Sequence, residues 1–229
     1  STLFLGFKLS FGQDLTVNTK PGPLSKKGQM FVFFGWNRGA FSNSDIHFKG
    51  NGYDFQLDNV VAHDRPTPFG IVYFDPAWFT VPQYNFRVGY FIKDNLALVL
   101  GIDHMKYVMD QNQTVNFSGN ITDPTYAAYV QNGQVNLADE NFLTFEHTDG
   151  LNYENLGLEK YQNLINKKNI DLVWSYGGGI GVMFPKSNVK LFGNERSDRF
   201  HVAGMGTDLR TSLNLVFWNH FMARLEAKA

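Results

Sequence analysis

Cysteine is absent from the 229 residues, which excludes disulfides, thiolate metal sites and cysteine nucleophiles. Long apolar runs are absent too. No stretch approaches the roughly 18 apolar residues of a spanning helix, so a membrane span in this chain would have to be a β one. Charge is scarce and balanced, at 18% of residues with a formal net charge of −1, which gives no electrostatic reason to expect nucleic acid as a partner. No His/Asp/Glu group has metal-ligand spacing. The glycines Gly177, Gly178, Gly179 and Gly181 precede no Lys-Ser/Thr pair and lie inside a strand pattern, so they do not make a phosphate loop, and no cofactor is expected.

Aromatic residues are abundant. Phe, Tyr and Trp make up 16% of the chain, yet mean hydropathy is −0.25, so the apolar residues are dispersed among Asn, Gly, Thr and Ser. The length suits one domain. Residues 1–13, STLFLGFKLSFGQ, read as the remnant of a secretory signal, with a first strand as the other reading. Residues 14–28, with Pro21 and Pro23, form an aperiodic lead-in, and 29–229 is the expected β domain.

The organising stretch is Gln83 to Met109, two alternating strands around the turn Lys93-Asp94-Asn95. Tyr84, Phe86, Val88, Tyr90 and Ile92 share one face, as do Leu96, Leu98, Leu100 and Ile102; the other face carries small residues with Arg87 and Asp103. A soluble sandwich would place Lys, Glu and Thr opposite its apolar face. Here the pattern is inverted, with a greasy exterior and a tight interior where a few charges pair.

Five further strands follow the same rule. The first covers about Gln29 to Arg38, with both faces apolar at its start; the fourth, about Tyr153 to Leu164, sets Leu156, Leu158, Lys160, Gln162 and Leu164 on one face. The fifth alternates from Ile170 to Phe184, the sixth from Ala203 to Phe217, and the seventh from Phe221 to Lys228. Links after the second, fourth and sixth are short, and those after the first, third and fifth are long. That is the short-periplasmic, long-extracellular asymmetry of bacterial barrels. Closure needs an even number, so eight strands are expected with the C-terminal one missing from this chain.

The long segments are Gly39–Pro82, with a hairpin signal at Asn51-Gly52 and prolines at 66, 68, 76 and 82, and Asp110–Asn152, with turn signals at Asn132-Gly133 and Asp149-Gly150. The piece QTVNF is expected to extend the barrel wall, and Pro185–Arg199 to be a polar loop.

These features, with the phrases YFIKDNLALVLGIDHMKY and FPKSNVKLFG, resemble small outer-membrane β-barrels of the OmpA/OmpX type from Bacteroidetes-like bacteria. The resemblance implies an all-β, antiparallel up-and-down transmembrane barrel in the bacterial outer membrane. The expected partners are outer-membrane lipid and lipopolysaccharide, with a surface protein or ligand engaged through the long loops. The terminal aromatic of the usual last strand is lacking, which fits a truncated chain.

The inward positions collect Arg87, Asp103, Glu159, Asp171, Asp208, Arg210, Arg224, Glu226 and Lys228, which read as a paired structural network. The enzymatic alternative, a lipid A acyl hydrolase or acyltransferase, uses Asp103 and His104, or Ser44 and His47 with Asp45. Adjacent residues in a strand point to opposite faces, so Asp103 and His104 are expected to be structural. A non-enzymatic barrel is the primary expectation.

Overall fold

A computed structural model describes residues 25–75, 77–78 and 81–229, so the signal-like start and most of the lead-in lie outside the described residues. The described part is 66% strand and 3% helix. In chain order the strands are β1 (Met30–Trp36), β2 (Ser44–Gly50), β3 (Tyr53–Val60), β4 (Ala62–His63), β5 (Tyr84–Lys93), β6 (Leu96–Met109) and β7 (Thr114–Ile121). They continue as β8 (Val130–Gln131), β9 (Gln134–Asn136), β10 (Leu143–Asn166), β11 (Ile170–Leu191), β12 (Ser197–Phe200), β13 (Gly204–Phe217) and β14 (Phe221–Lys228). A 3-10 turn spans Ile71–Tyr73 and a short helix, α1, spans Pro124–Ala127.

One antiparallel sheet follows the path β1-β5-β6-β10-β11-β13-β14, with β4 added to β6 and β12 to β11. It curls into a half-barrel. Residues from β14 therefore reach strands far away along the path: Lys228 Nζ lies 2.6 Å from Asp103 Oδ2 on β6, and Arg87 Nη2 on β5 lies 3.0 Å from Glu226 Oε1. Among the described residues β1 and β14 end the path without pairing to each other. Between them opens a cavity of about 440 Å3 lined by Phe31, Phe33, Phe91, Tyr161, Val216 and Met222, among others.

The expected alternation appears on both faces. Leu100, Leu209 and Leu225 on the convex face are 58%, 74% and 75% exposed, while Arg87, Glu159 and Arg210 on the concave face are buried. In β1, Met30 and Val32 face outward and Phe31 and Phe33 inward, which resolves its ambiguous start. The β5–β6 turn is tighter than the spacing suggests. Lys93 pairs with Leu96, so only Asp94 and Asn95 form the turn, and a bulge between Phe91 and Lys93 restores the register that sets Arg87 opposite Gly101. Lys27 N donates to Asp94 Oδ1 at 2.8 Å, tying the end of the lead-in across this turn.

The long segments fold into a cap with its own sheet, ordered β2-β3-β7-β9-β8. Asn51-Gly52 turns the β2–β3 hairpin, with Gly52 at φ +83°, where a side chain would be strained. Asn132 and Gly133 both take positive φ between β8 and β9, as a two-residue hairpin of the primed type requires. Phe55, Leu57, Val115, Leu137, Phe142 and Leu143 join in the cap core, which continues down to Met109 and Tyr107 on β6.

Three local expectations are overturned. The QTVNF piece lies in β7 and joins this separate sheet, pairing with β3 and not with the wall. Asp149-Gly150 is no hairpin turn. It is a bulge inside β10, where Gly150 sits at φ +131° and the register with β6 shifts between His147 and Leu151. The polar stretch from Pro185 is strand through Leu191, since Leu143–Glu146 of β10 supplies its ladder on one side and β12 on the other.

Candidate functional site

The concave face of the sheet is layered. At the short-turn end an apolar cluster lies inward, with Phe91, Ala97, Val99, Val173 and Val216 packed around Tyr161. Strand parity places Phe91, Ala97, Val99 and Val173 inward; their union in one layer with Tyr161 and Val216 is seen only in the structure.

Above it lies an ion-pair network. Arg87, whose side chain is 0% exposed, reaches Asp103 at 2.5 Å and Glu226 at 3.0 Å. Arg224 reaches Glu226 at 2.6 Å and Glu159 at 2.7 Å. Arg210 pairs with Asp208 at 2.8 Å, and Lys228 joins Asp103 at 2.6 Å and Asp208 at 3.6 Å. Four cations and four anions from five strands thus close into one neutral set. Neutrality matters because an unpaired ion at this depth costs several kcal/mol. Small residues make the space: a Cβ on Gly179 would stand 2.9 Å from both Arg210 Nη2 and Asp208 Oδ2.

A turn centred on Asn219 sets Leu213 opposite Leu225 by counting, and the structure has this register on β13 and β14, with Ser212 paired to Glu226 and Arg210 to Lys228. The like-charged pair Arg210 and Lys228 needs an acid nearby, and counting along the strands offers Glu226 on the diagonal. The structure gives that role to Asp208, with Asp103 also on Lys228, and turns Glu226 toward Arg87 and Arg224. Asp171, counted with the network from its parity, is buried but stays outside it. It stands level with the apolar layer, paired along the ladder with Val216, and among the described residues forms no ion pair.

Neutral polar residues missed by a search for charges complete the set. Asn155 accepts from Arg210 Nη2 at 2.9 Å and donates to Asp103 at 3.2 Å, bridging the two halves of the network. Tyr153 donates to Asp208 Oδ2 at 3.3 Å while Lys228 Nζ stands 4.6 Å from its ring centroid. Ser175 and Ser212 share a 2.5 Å hydrogen bond, and Asn214 donates to Ser175. Inward parity is the signal that places Ser175, Ser212 and Asn214, which share their strands' inward faces with Asp171, Asp208 and Arg210.

The catalytic alternative is not assembled. Asp103 faces the network, whereas His104 faces outward, stacked on Tyr84 with ring centroids 5.0 Å apart and hydrogen-bonded through Nδ1 to Asn152. His47 pairs with Asp54 at 2.7 Å in the cap, Asp45 accepts from Asn59 N, and Ser44 donates to the Ser42 carbonyl. A serine–histidine contact does occur at an unexpected place, between Ser187 Oγ and His147 Nδ1 at 3.0 Å. Both residues are buried under Tyr107 and Phe145, without the access that a nucleophile needs.

On the cap, an open cleft of about 1020 Å3 is lined by Tyr129, Asn132, Gln134, Asn136, Asp139 and Glu140, among others. Comparison with family models, with curated proteins and with solved structures finds no match for the chain.

Proposed function

We propose that the chain is an outer-membrane β-barrel of the small, side-chain-filled kind, non-enzymatic, whose folded cap stands outside the cell and engages a surface ligand or an envelope component. The observation that carries this reading is the inversion of the sheet: apolar side chains exposed over the convex face, ion pairs buried on the concave one. In water each exposed Leu or Ile would forgo roughly 1.5 to 3 kcal/mol of burial, a cost that a hydrocarbon solvent removes.

Strand lengths support it. The 10 residues of β5 match the roughly 9–11 of a tilted spanning strand, and the 24 of β10 and 22 of β11 leave a surplus at the long-loop end, where the cap is built. Trp36, Tyr84 and His104 line the convex face at that end, as an interfacial aromatic girdle does. An eighth strand completes the barrel in this reading, seated in the gap between β1 and β14.

The test is location and folding behaviour. The protein should fractionate with the outer membrane, and its folded form should migrate differently from the boiled one in a detergent gel. Recovery of most of the folded protein in a detergent-free soluble fraction would sink the proposal.

A further inference from the structure

The cap contains one segment that does not behave like the rest. Among the described residues between Arg65 and Gln83, four large apolar side chains are exposed: Phe69 and Ile71 at 80% each, Phe74 at 65% and Trp78 at 57%. The segment is nonetheless held in place. Buried Tyr73 donates to the Thr67 carbonyl at 2.8 Å and accepts from Arg38 Nη2 at 3.3 Å, and Lys106 Nζ donates to Thr67 Oγ1 at 3.1 Å. The exposed residues are thus the free side of an anchored turn.

Its position on the sheet is the second observation. Tyr73 packs edge-on against Trp36 with centroids 5.6 Å apart, Trp36 against Phe34 at 5.8 Å, and Phe34 stacks on Tyr84 at 5.7 Å. The turn therefore joins the convex-face aromatic girdle at Trp36 on β1. Arg38 lies two residues past Trp36 and Lys106 two past His104, so two cations stand on the cap side of the same girdle.

We infer that Phe69, Ile71, Phe74 and Trp78 form an outrigger that dips into the acyl chains of the outer leaflet, while Arg38 and Lys106 sit at the level of its phosphates. This rests on the barrel reading above. Lipid is the occupant because the apolar side is continuous with the face proposed to meet hydrocarbon and because cations border it on the water side. An interfacial element of this kind buries its apolar side by about 5–10 Å.

The four tryptophans supply the test. One protein keeps Trp78 alone (Trp36→Phe, Trp174→Phe, Trp218→Phe) and a second keeps Trp174 alone, on the convex face of β11. Each is folded into phosphatidylcholine vesicles whose acyl chains are brominated either near the headgroup or near the chain end, with the heat-modifiable band as the check on folding. The expected result is roughly two-fold quenching of Trp78 by the shallow bromine and less by the deep one, for a depth of about 5–10 Å. Quenching of Trp174 with Trp78 open to aqueous iodide would overturn the outrigger and leave the barrel standing. Trp78 shielded from both lipid bromine and iodide would mean that protein, such as a second copy, covers the turn, which also overturns it. Absence of lipid quenching for both tryptophans would overturn the barrel reading itself. As a second variant, Phe69→Ser with Ile71→Ser and Phe74→Ser should make Trp78 accessible to iodide without moving the Trp174 signal.

Discussion

Glu226 separates a buried ion pair that contributes stability from one whose loss is absorbed by its neighbours. Its carboxylate touches both Arg87 and Arg224, yet each arginine keeps a second acid, Asp103 and Glu159 respectively. Removing one partner of a buried pair typically costs about 3 to 5 kcal/mol, and the retained acids place Glu226→Gln at the lower end, about 3 kcal/mol. Equilibrium unfolding in detergent would measure it. The control has to be chosen from the structure. Glu146 looks inert in the sequence, as a loop residue, but it lies within 3.3 Å of Arg65 and also bonds Thr148; Glu140, exposed in the cap, is the proper reference. Equal, negligible effects of Glu226→Gln and Glu140→Gln would mean that the network carries no stability.

At the scale of the element, what the sequence revealed depended on whether a strand has two different faces. β5, β6, β11 and β13 alternate apolar with small or charged, so their faces and registers were readable, down to Arg87 opposite Gly101 and Leu213 opposite Leu225. The cap was legible only at its turns, because Asn51-Gly52 and Asn132-Gly133 advertise positive φ while the strands between them are polar and short. Which sheet β7 joins was not legible, since pairing partners far apart in sequence leave no periodic trace. The same limit hid the bond between His147 and Ser187, brought together by the β10–β11 ladder. Burial, with a smaller contribution from the charge of His201, pushes the His147 imidazole down to about 4. A histidine whose folded value lies below its unfolded one stabilises the protein above about pH 6.5, and that contribution falls as the pH drops toward 4. The shift corresponds to at most roughly 3 kcal/mol. Amide protection factors in the cap, which are normalised to the intrinsic exchange rate, should therefore fall between neutral pH and about pH 5, and His147→Asn should flatten that dependence. An unchanged slope in the variant would place the acid sensitivity elsewhere.

The whole molecule combines a folded cap at one end, ion pairs at mid-height and an apolar layer at the short-turn end, all on one concave face. A chain built to conduct would leave its inward charges hydrated and biased to one sign, so that an ion meets water and a favourable field along the path. Here the opposite holds: the side chains of Arg87, Arg210, Arg224 and Glu159 are 0–1% exposed, and the four cations are matched by four anions. Below them Phe91, Val99, Val173 and Val216 form an apolar cluster, with Asp171 buried at its level. In the eight-stranded barrel proposed above, the interior is only wide enough for side chains, and a buried ion-pair set of this kind would occupy it. On the barrel reading, the reconstituted protein should therefore give no steady conductance in a planar bilayer at moderate voltage. A stable, reproducible open level from the folded protein would require the apolar layer to move aside, and the reading of the interior as a structural plug would have to be abandoned.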